Sequence, residues 1–218
     1  MRGGVFLDAY EKLYHNDEIN KILDNINNLL PTNFAGCHGR YHAMFVVDTI
    51  EHILKSLSYG TRTVELGKIA ALFHDIGNIA GRWHHAQKSA ALAVVFLDGS
   101  EQFLPEEKAI ITQAIEDHSN GHKISSAVGA ALLIADKLDI TQKRVMPKEN
   151  IDDFHKNLRE IEDVIISVAD KVMTVNYITT AAFCKNILLG EYKGFNLSKK
   201  AAKYLGCTCE FQFNSKEA

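Results

Sequence analysis

The sequence has no apolar run long enough to cross a bilayer, and Met1-Arg2-Gly3-Gly4-Val5-Phe6-Leu7-Asp8 lacks the long apolar core of an export signal. A membrane association is therefore not expected, and a cytoplasmic location is. Cysteine is sparse: Cys37, Cys184, Cys207 and Cys209 are scattered, and the one close pair is Cys-x-Cys. That spacing excludes the usual Cys-x-x-Cys zinc or redox motif and points to reduced thiols. A charge excess is missing too, since the formal net charge is only -3. Nothing global draws the chain to a nucleic-acid polymer or an anionic lipid, although a local basic pocket for a phosphorylated small molecule stays open. Internal repeats, low-complexity segments and flexible linkers are absent as well.

What is present is an ordinary globular composition, 46% hydrophobic and 23% charged over 218 residues, enough for one sizeable core and a small appendage. Periodicity predicts mainly helices. Asp17 reads as the N-cap of a packing helix that Pro31 stops, with Val5, Phe6 and Leu7 as apolar residues ahead of it. A long helix is expected from Arg40 to Leu57, where His42, Val46, Thr49 and Ile53 share one face. Further helices are expected from about Thr63 to His74-Asp75, from His85 to Leu97, from Pro105, and over residues 124 to 139. Ile111, Ile115 and His118 share an inward stripe, as do Val128, Leu132 and Asp136.

Beyond Arg144 the pattern changes. Pro147 to Glu160 reads as a charged, exposed helix, and 164–168 and 172–178 as two short strands joined by Ala169-Asp170-Lys171. Helices around 181–189 and 197–205 and a strand at 209–213 follow. The division expected is 1–146 for a helical domain and 147–218 for an α+β appendage packed on the same core.

The centre of the sequence is Leu72-Phe73-His74-Asp75-Ile76-Gly77. An imidazole and a carboxylate at the end of an apolar helix are costly to bury unless something satisfies them, and a divalent cation does so most completely. His42, then His74-Asp75, then His85, His118 and Asp136, each near the end of a successive helix, resembles the HD-domain superfamily of metal-dependent phosphohydrolases. The resemblance covers roughly residues 38 to 144 and leaves the tail unexplained. It implies a mainly α, HD-domain-like helical bundle, here with a small α+β appendage made of a short hairpin and a terminal strand.

Carried over position by position, the resemblance makes His42, His74, Asp75 and Asp136 the ligands of a first metal, with Asp75 bridging to a second that His85 and His118 complete. His84 competes with His85; its helical face carries Lys88, whereas that of His85 carries Ser89, Leu92 and Phe96, which favours His85. Mixed imidazole and carboxylate donors suit two divalent transition metal ions from among Fe, Mn, Co, Ni and Zn. Two such ions about 3.5–4 Å apart imply a metal-activated hydroxide attacking phosphorus, with His74 and Asp75 at the catalytic centre. Arg40, Arg82, Lys137, Lys143 and Arg144 lie close in sequence and are candidates to bind substrate phosphate. Asp139 is expected to accept a hydrogen bond behind the ligands or to end its helix. His15, His38, His52 and His155 read as surface or structural, His122 is undecided, and Trp83 is expected to pack on the core in preference to stacking on a base.

The implied activity is hydrolysis of a phosphate ester or phosphodiester of a nucleotide or another phosphorylated small molecule. The chain departs from the HD-GYP cyclic-dinucleotide phosphodiesterases, with Asn78 where they have Lys and no Tyr-Pro after His118-Ser119-Asn120-Gly121-His122. Nor is there a signature of the alarmone hydrolases or of the deoxynucleoside triphosphate triphosphohydrolases. The same ligand set leaves open an HD-fold di-iron oxygenase, and a non-catalytic nucleotide-sensing module. Substrate would be the main partner, with a homodimer contact through the tail as a further expectation.

Overall fold

The most apolar stretch of the sequence forms helix α7 (Ala127–Leu138), and in the computed structural model, which describes residues 8–31, 35–119 and 123–215, α3 (Arg40–Ser56), α4 (Thr61–Phe73), α6 (Pro105–Asp117) and α10 (Gly194–Tyr204) pack directly on it. Ser126 starts it, its hydroxyl accepting from the amide of Gly129. Every side chain from Val128 to Asp136 is buried, so α7 has no solvent face until its last turn. Each Leu or Ile fully enclosed there stabilises the fold by about 1.5–3 kcal/mol.

Among the described residues six α-helices precede it: α1 (Ala9–Tyr14), α2 (Asp17–Leu29), α3 (Arg40–Ser56), α4 (Thr61–Phe73), α5 (His85–Asp98) and α6 (Pro105–Asp117). The cap of α2 is Asn16, not Asp17: the Asn16 side chain accepts from the amides of Glu18 and Ile19, and Asp17 becomes the first helical residue. Val5, Phe6, Leu7 and His122 lie outside the described residues. Helices α3 and α4 meet at Gly67, where a Cβ would lie 2.8 Å from Leu54 Cδ1. The glycine lets the two backbones close on Ile50 and Leu54.

After α4 the chain makes a 3-10 turn (Ile76–Ala80) laid against α5. Gly77 is required there, because a Cβ would fall 2.4 Å from Ser89 N and 2.5 Å from His85 O, both main-chain atoms. Its amide donates to Ser89 Oγ at 2.8 Å, which ties the turn after His74-Asp75 to the start of α5.

The tail contributes α8 (Asp153–Leu158), β1 (Ile161–Ala169), β2 (Val172–Thr179), α9 (Lys185–Glu191), α10 (Gly194–Tyr204) and β3 (Thr208–Ser215). The exposed helix expected from Pro147 to Glu160 shrinks to α8. Asp152 caps it by accepting from His155 N, and Arg159 holds the segment before it through the carbonyls of Met146 and Lys148. β1 and β2 form the expected hairpin, turned by Asp170 and Lys171, both at positive φ as a tight two-residue turn demands. β3 adds parallel to β2 after α9 and α10 cross over, giving the order β1-β2-β3.

Met173, Val175 and Tyr177 form the inward face of β2, fully buried, and the Tyr177 hydroxyl donates to Leu138 O at the end of α7. Helix α10 packs on α7 as well. One continuous cluster of buried apolar side chains therefore runs from Ala9 to Cys209 and includes residues on both sides of Pro147. The chain is mainly α with a small three-stranded sheet, and no described helix is long and apolar enough to cross a membrane.

Candidate metal centre

Four helix ends converge beside the last turn of α7. Helix α3 brings in His42 from its first turn, and α4 ends at His74, the residue at its C-cap, with Asp75 next. Helix α6 ends at His118, and α7 carries Asp136 in its last turn. His85 is the first residue of α5, and His84 before it has a left-handed backbone (φ 53°) and makes no cap bond. That turn out of the helix sends His85, and not His84, toward Asp75: His85 Nε2 is 3.4 Å from Asp75 Oδ1.

His42, His74, Asp75, His118 and Asp136 are all at least nine-tenths buried. Each imidazole in the centre of the group is turned the same way. His42 Nδ1–H donates to Asp139 Oδ2 at 2.7 Å, His74 Nδ1–H to Ala71 O at 2.7 Å and His118 Nδ1–H to Ile115 O at 2.5 Å. An acceptor at Nδ1 fixes the tautomer and leaves the Nε2 lone pair facing inward. His42 Nε2 and His74 Nε2 then confront each other at 3.0 Å. Two lone pairs at that distance repel unless a proton or a cation lies between them.

The carboxylates close the group. Asp136 Oδ1 is 3.2 Å from His42 Nε2 and 3.9 Å from His74 Nε2; Asp75 Oδ2 is 3.5 Å from the first and 3.4 Å from the second. Ligand atoms bound at 2.0–2.1 Å sit about 2.9 Å apart at neighbouring octahedral corners and about 3.3 Å apart at tetrahedral ones. His42, His74 and Asp136 are spaced so that they could hold one cation, with Asp75 Oδ2 beside the two histidines. The other oxygen, Asp75 Oδ1, is buried without a hydrogen-bond partner among the described residues and faces His85 Nε2 and, at 3.8 Å, His118 Nε2. Asp75 thus turns one oxygen to each histidine pair. Ligand atoms gather in the groups His42-His74-Asp136, His74-Asp75-His118 and His38-His42-Asp75, and His85 adjoins them through Asp75 Oδ1 and an edge-on contact with the His118 ring, centroids 5.2 Å apart.

Charge follows the same pattern. Burial disfavours the ionised form of Asp75, but His38 and His74 outweigh it and hold the carboxyl well below its ordinary range. Asp136 is likewise held well down against its burial, by Lys137, 2.6 Å from Oδ2, and by His42. Burial pushes His85 down to about 4 and His118 to about 3, so both are neutral at pH 7 with a lone pair to offer. Burial also opposes the cationic form of His74, but Asp75 and Asp136 raise it.

Several expected placements change. His38, read as surface or structural, is buried in the group with Nδ1 2.5 Å from Asp75 Oδ2 and 3.1 Å from an Arg144 guanidinium nitrogen. It precedes Gly39, the residue that starts α3, so helical periodicity does not reach it; its only signal was its place four residues before His42. Arg40 does not reach the centre, because Asp24 binds its guanidinium at 2.5 and 3.0 Å and Asn20 takes the rest. Lys143 lies over the Tyr41 ring and does not line the opening. Trp83 is 79% exposed instead of packed on the core. Arg82, Lys137 and Arg144 do border the small opening above Asp75, His85 and His118. Arg82 donates to Asn78 Oδ1 at 3.2 Å and lies 3.6 Å from Asp75 Oδ1.

No family model matches the chain, and no curated protein does. Among solved structures it is similar to the crystal structure of a predicted HD superfamily hydrolase from an uncultured Thermotogales bacterium, at 22% identity and a TM-score of 0.44, over 62% of this chain and 75% of that one.

Proposed function

We propose that the chain is a metal-dependent phosphohydrolase that cleaves a phosphate ester or phosphodiester of a phosphorylated small molecule. The observation that carries this reading is Asp75, buried between two histidine pairs with one oxygen toward each and with three cations at the opening. His42, His74, Asp75 and Asp136 would hold one divalent transition ion, and Asp75, His85 and His118 a second. Such ions supply Lewis-acid charge that activates water and neutralises phosphoryl oxygens.

The chain's own residues do the rest. Asp139, Ala71 and Ile115 keep the three imidazoles aimed inward, so no reorganisation is needed when charge develops. Arg82, Lys137 and Arg144 would bind the phosphoryl oxygens and set the ester bond in line for attack. The water adds to phosphorus and the ester oxygen leaves as an alcohol. His38 bears on Asp75 Oδ2 and is a positioning residue for the carboxylate.

The test is hydrolysis of a panel of phosphomonoesters and phosphodiesters by protein reconstituted with Mn, Co, Ni, Zn or Fe(II), beside Asp75→Ala. Turnover lost by more than about a thousandfold in the variant is expected, since the substitution removes a group shared by both halves of the centre. Stoichiometric iron with oxygen consumption and no ester cleavage would move the same ligands to oxygenase chemistry instead.

A further inference from the structure

A cavity of about 370 Å³ lies between the end of α7 and the tail, and neither the ligand set nor the phosphate cations account for it. It borders the metal opening: His38, Asp136, Lys137 and Arg144 line both spaces. Away from that border its wall is apolar and aromatic, formed by Ile140, Phe154, Leu158, Tyr192 and Leu197. All but Ile140 come from the segment after Pro147 that the HD resemblance leaves unexplained.

The wall is built and not incidental. The Tyr192 hydroxyl donates to Lys137 O at 2.6 Å, anchoring the ring to the last turn of α7 next to Asp136. Its ring stacks on Phe154 (centroids 6.1 Å apart, 24° between planes) and meets Phe195 edge-on. Gly194 makes room for it, since a Cβ there would fall 2.3 Å from the ring. At the border, Lys137 and Arg144 put two cationic side chains at the cavity's inner end. Glu191 and Lys193, both exposed, add polar groups at the cavity's outer side.

We infer that this cavity is the specificity pocket of the enzyme and takes the flat heteroaromatic ring of a nucleoside monophosphate, whose phosphate points to Lys137 and Arg144. The inference rests on the hydrolase reading for the direction of the phosphate. The cavity falls in the range of about 300–1,000 Å³ typical of small-molecule sites, with aromatic walls suited to a stacked ring and cations at one end. The tail is thus the part of the chain that selects substrate, and the helical domain the part that reacts.

The experiment is ligand-observed saturation-transfer NMR and calorimetry with AMP, UMP, ribose 5-phosphate and inorganic phosphate, on the full chain as purified and after chelation. At least one nucleotide should bind tenfold or more tightly than ribose 5-phosphate, with the strongest saturation on its ring protons. Leu197→Trp, which fills the cavity, should weaken that nucleotide at least tenfold and leave inorganic phosphate unchanged. Phe154→Ala, at a half-buried position, should weaken it in the same selective way and serves where Leu197→Trp does not fold. Equal affinity for nucleotides and ribose 5-phosphate, or nucleotide binding indifferent to the folded cavity variant, overturns the pocket while leaving ester hydrolysis standing. Selective ring binding by a chain that binds no transition metal keeps the pocket and removes the hydrolase.

Discussion

Asp139 touches no expected cation, yet replacing it should cost the centre most of its metal affinity. Its Oδ2 accepts the Nδ1 proton of His42 at 2.7 Å, and both side chains are fully enclosed. In Asp139→Ala the His42 Nδ1–H has no acceptor from that side, a penalty of about 1–3 kcal/mol for a buried donor. The ring can escape it by moving its proton to Nε2, the atom that faces His74, Asp75 and Asp136. A protonated Nε2 cannot ligate, so either outcome weakens the cation by about 10–100-fold, equivalent to about 1.4–2.7 kcal/mol. The assay is competition with a zinc chelator, with circular dichroism to establish that the fold is kept. Asp139→Asn, which retains an acceptor oxygen, should recover part of the loss. An Asp139→Ala protein that folds and binds zinc as tightly as the wild type would refute the argument that Asp139 fixes the His42 tautomer.

Other consequences are more local. Gly77→Ala puts a Cβ 2.4 Å from the Ser89 amide nitrogen and should lower stability by about 1–3 kcal/mol, read from the urea midpoint; an unchanged midpoint would contradict the close approach of the turn to α5. Arg62 grips Glu107 with two bonds of 2.6 Å and, together with the Leu104 amide, holds its carboxyl down against burial from the usual 4.5 to about 2. A depressed carboxyl stabilises above its unfolded value and loses that contribution as pH falls from about 4.5 through about 2. Because Arg62 is 40% exposed, screening reduces the term to about 1 kcal/mol. Glu107→Gln should therefore be less stable than wild type by about that amount at pH 7 and equal to it near pH 2, by thermal unfolding across pH; a constant difference would sink the linkage. Tyr177→Phe removes the bond from the sheet to Leu138 O and should cost about 1 kcal/mol by denaturant unfolding, and no loss would mean the bond contributes nothing to docking the tail.

Much of the centre was legible in the sequence because its residues obey helical spacing. His42, His118 and Asp136 fall on apolar stripes of α3, α6 and α7, and His74-Asp75 ends the apolar run of α4. The preference for His85 over His84 rested on Lys88 sharing the face of His84 and Ser89, Leu92 and Phe96 that of His85, and Ser89 does lie inward, accepting from Gly77 N. Local pattern stops at the helix ends. His38 enters from the turn before α3, and only the packing of that turn on Asp75 brings it in. Arg40 lies near the ligands in sequence, but Asp24 on α2 competes for its charge, a pairing sixteen residues apart that no periodicity encodes. In the tail, strand content was readable from β-branched residues, while the parallel addition of β3 after two helices depends on α10 docking against α7. The pocket wall of Phe154, Tyr192 and Leu197 follows from that docking and has no sequence signal of its own.

Whether Asp75 joins two cation sites is read from a metal titration. Metal-stripped protein is titrated with Mn(II) or Zn(II) and the bound metal counted per chain, for wild type and for Asp75→Ala. Two ions per wild-type chain, with binding at both sites lost or severely weakened in Asp75→Ala, is the predicted result. No stoichiometric binding by the wild type, or two ions retained in the variant, would contradict it.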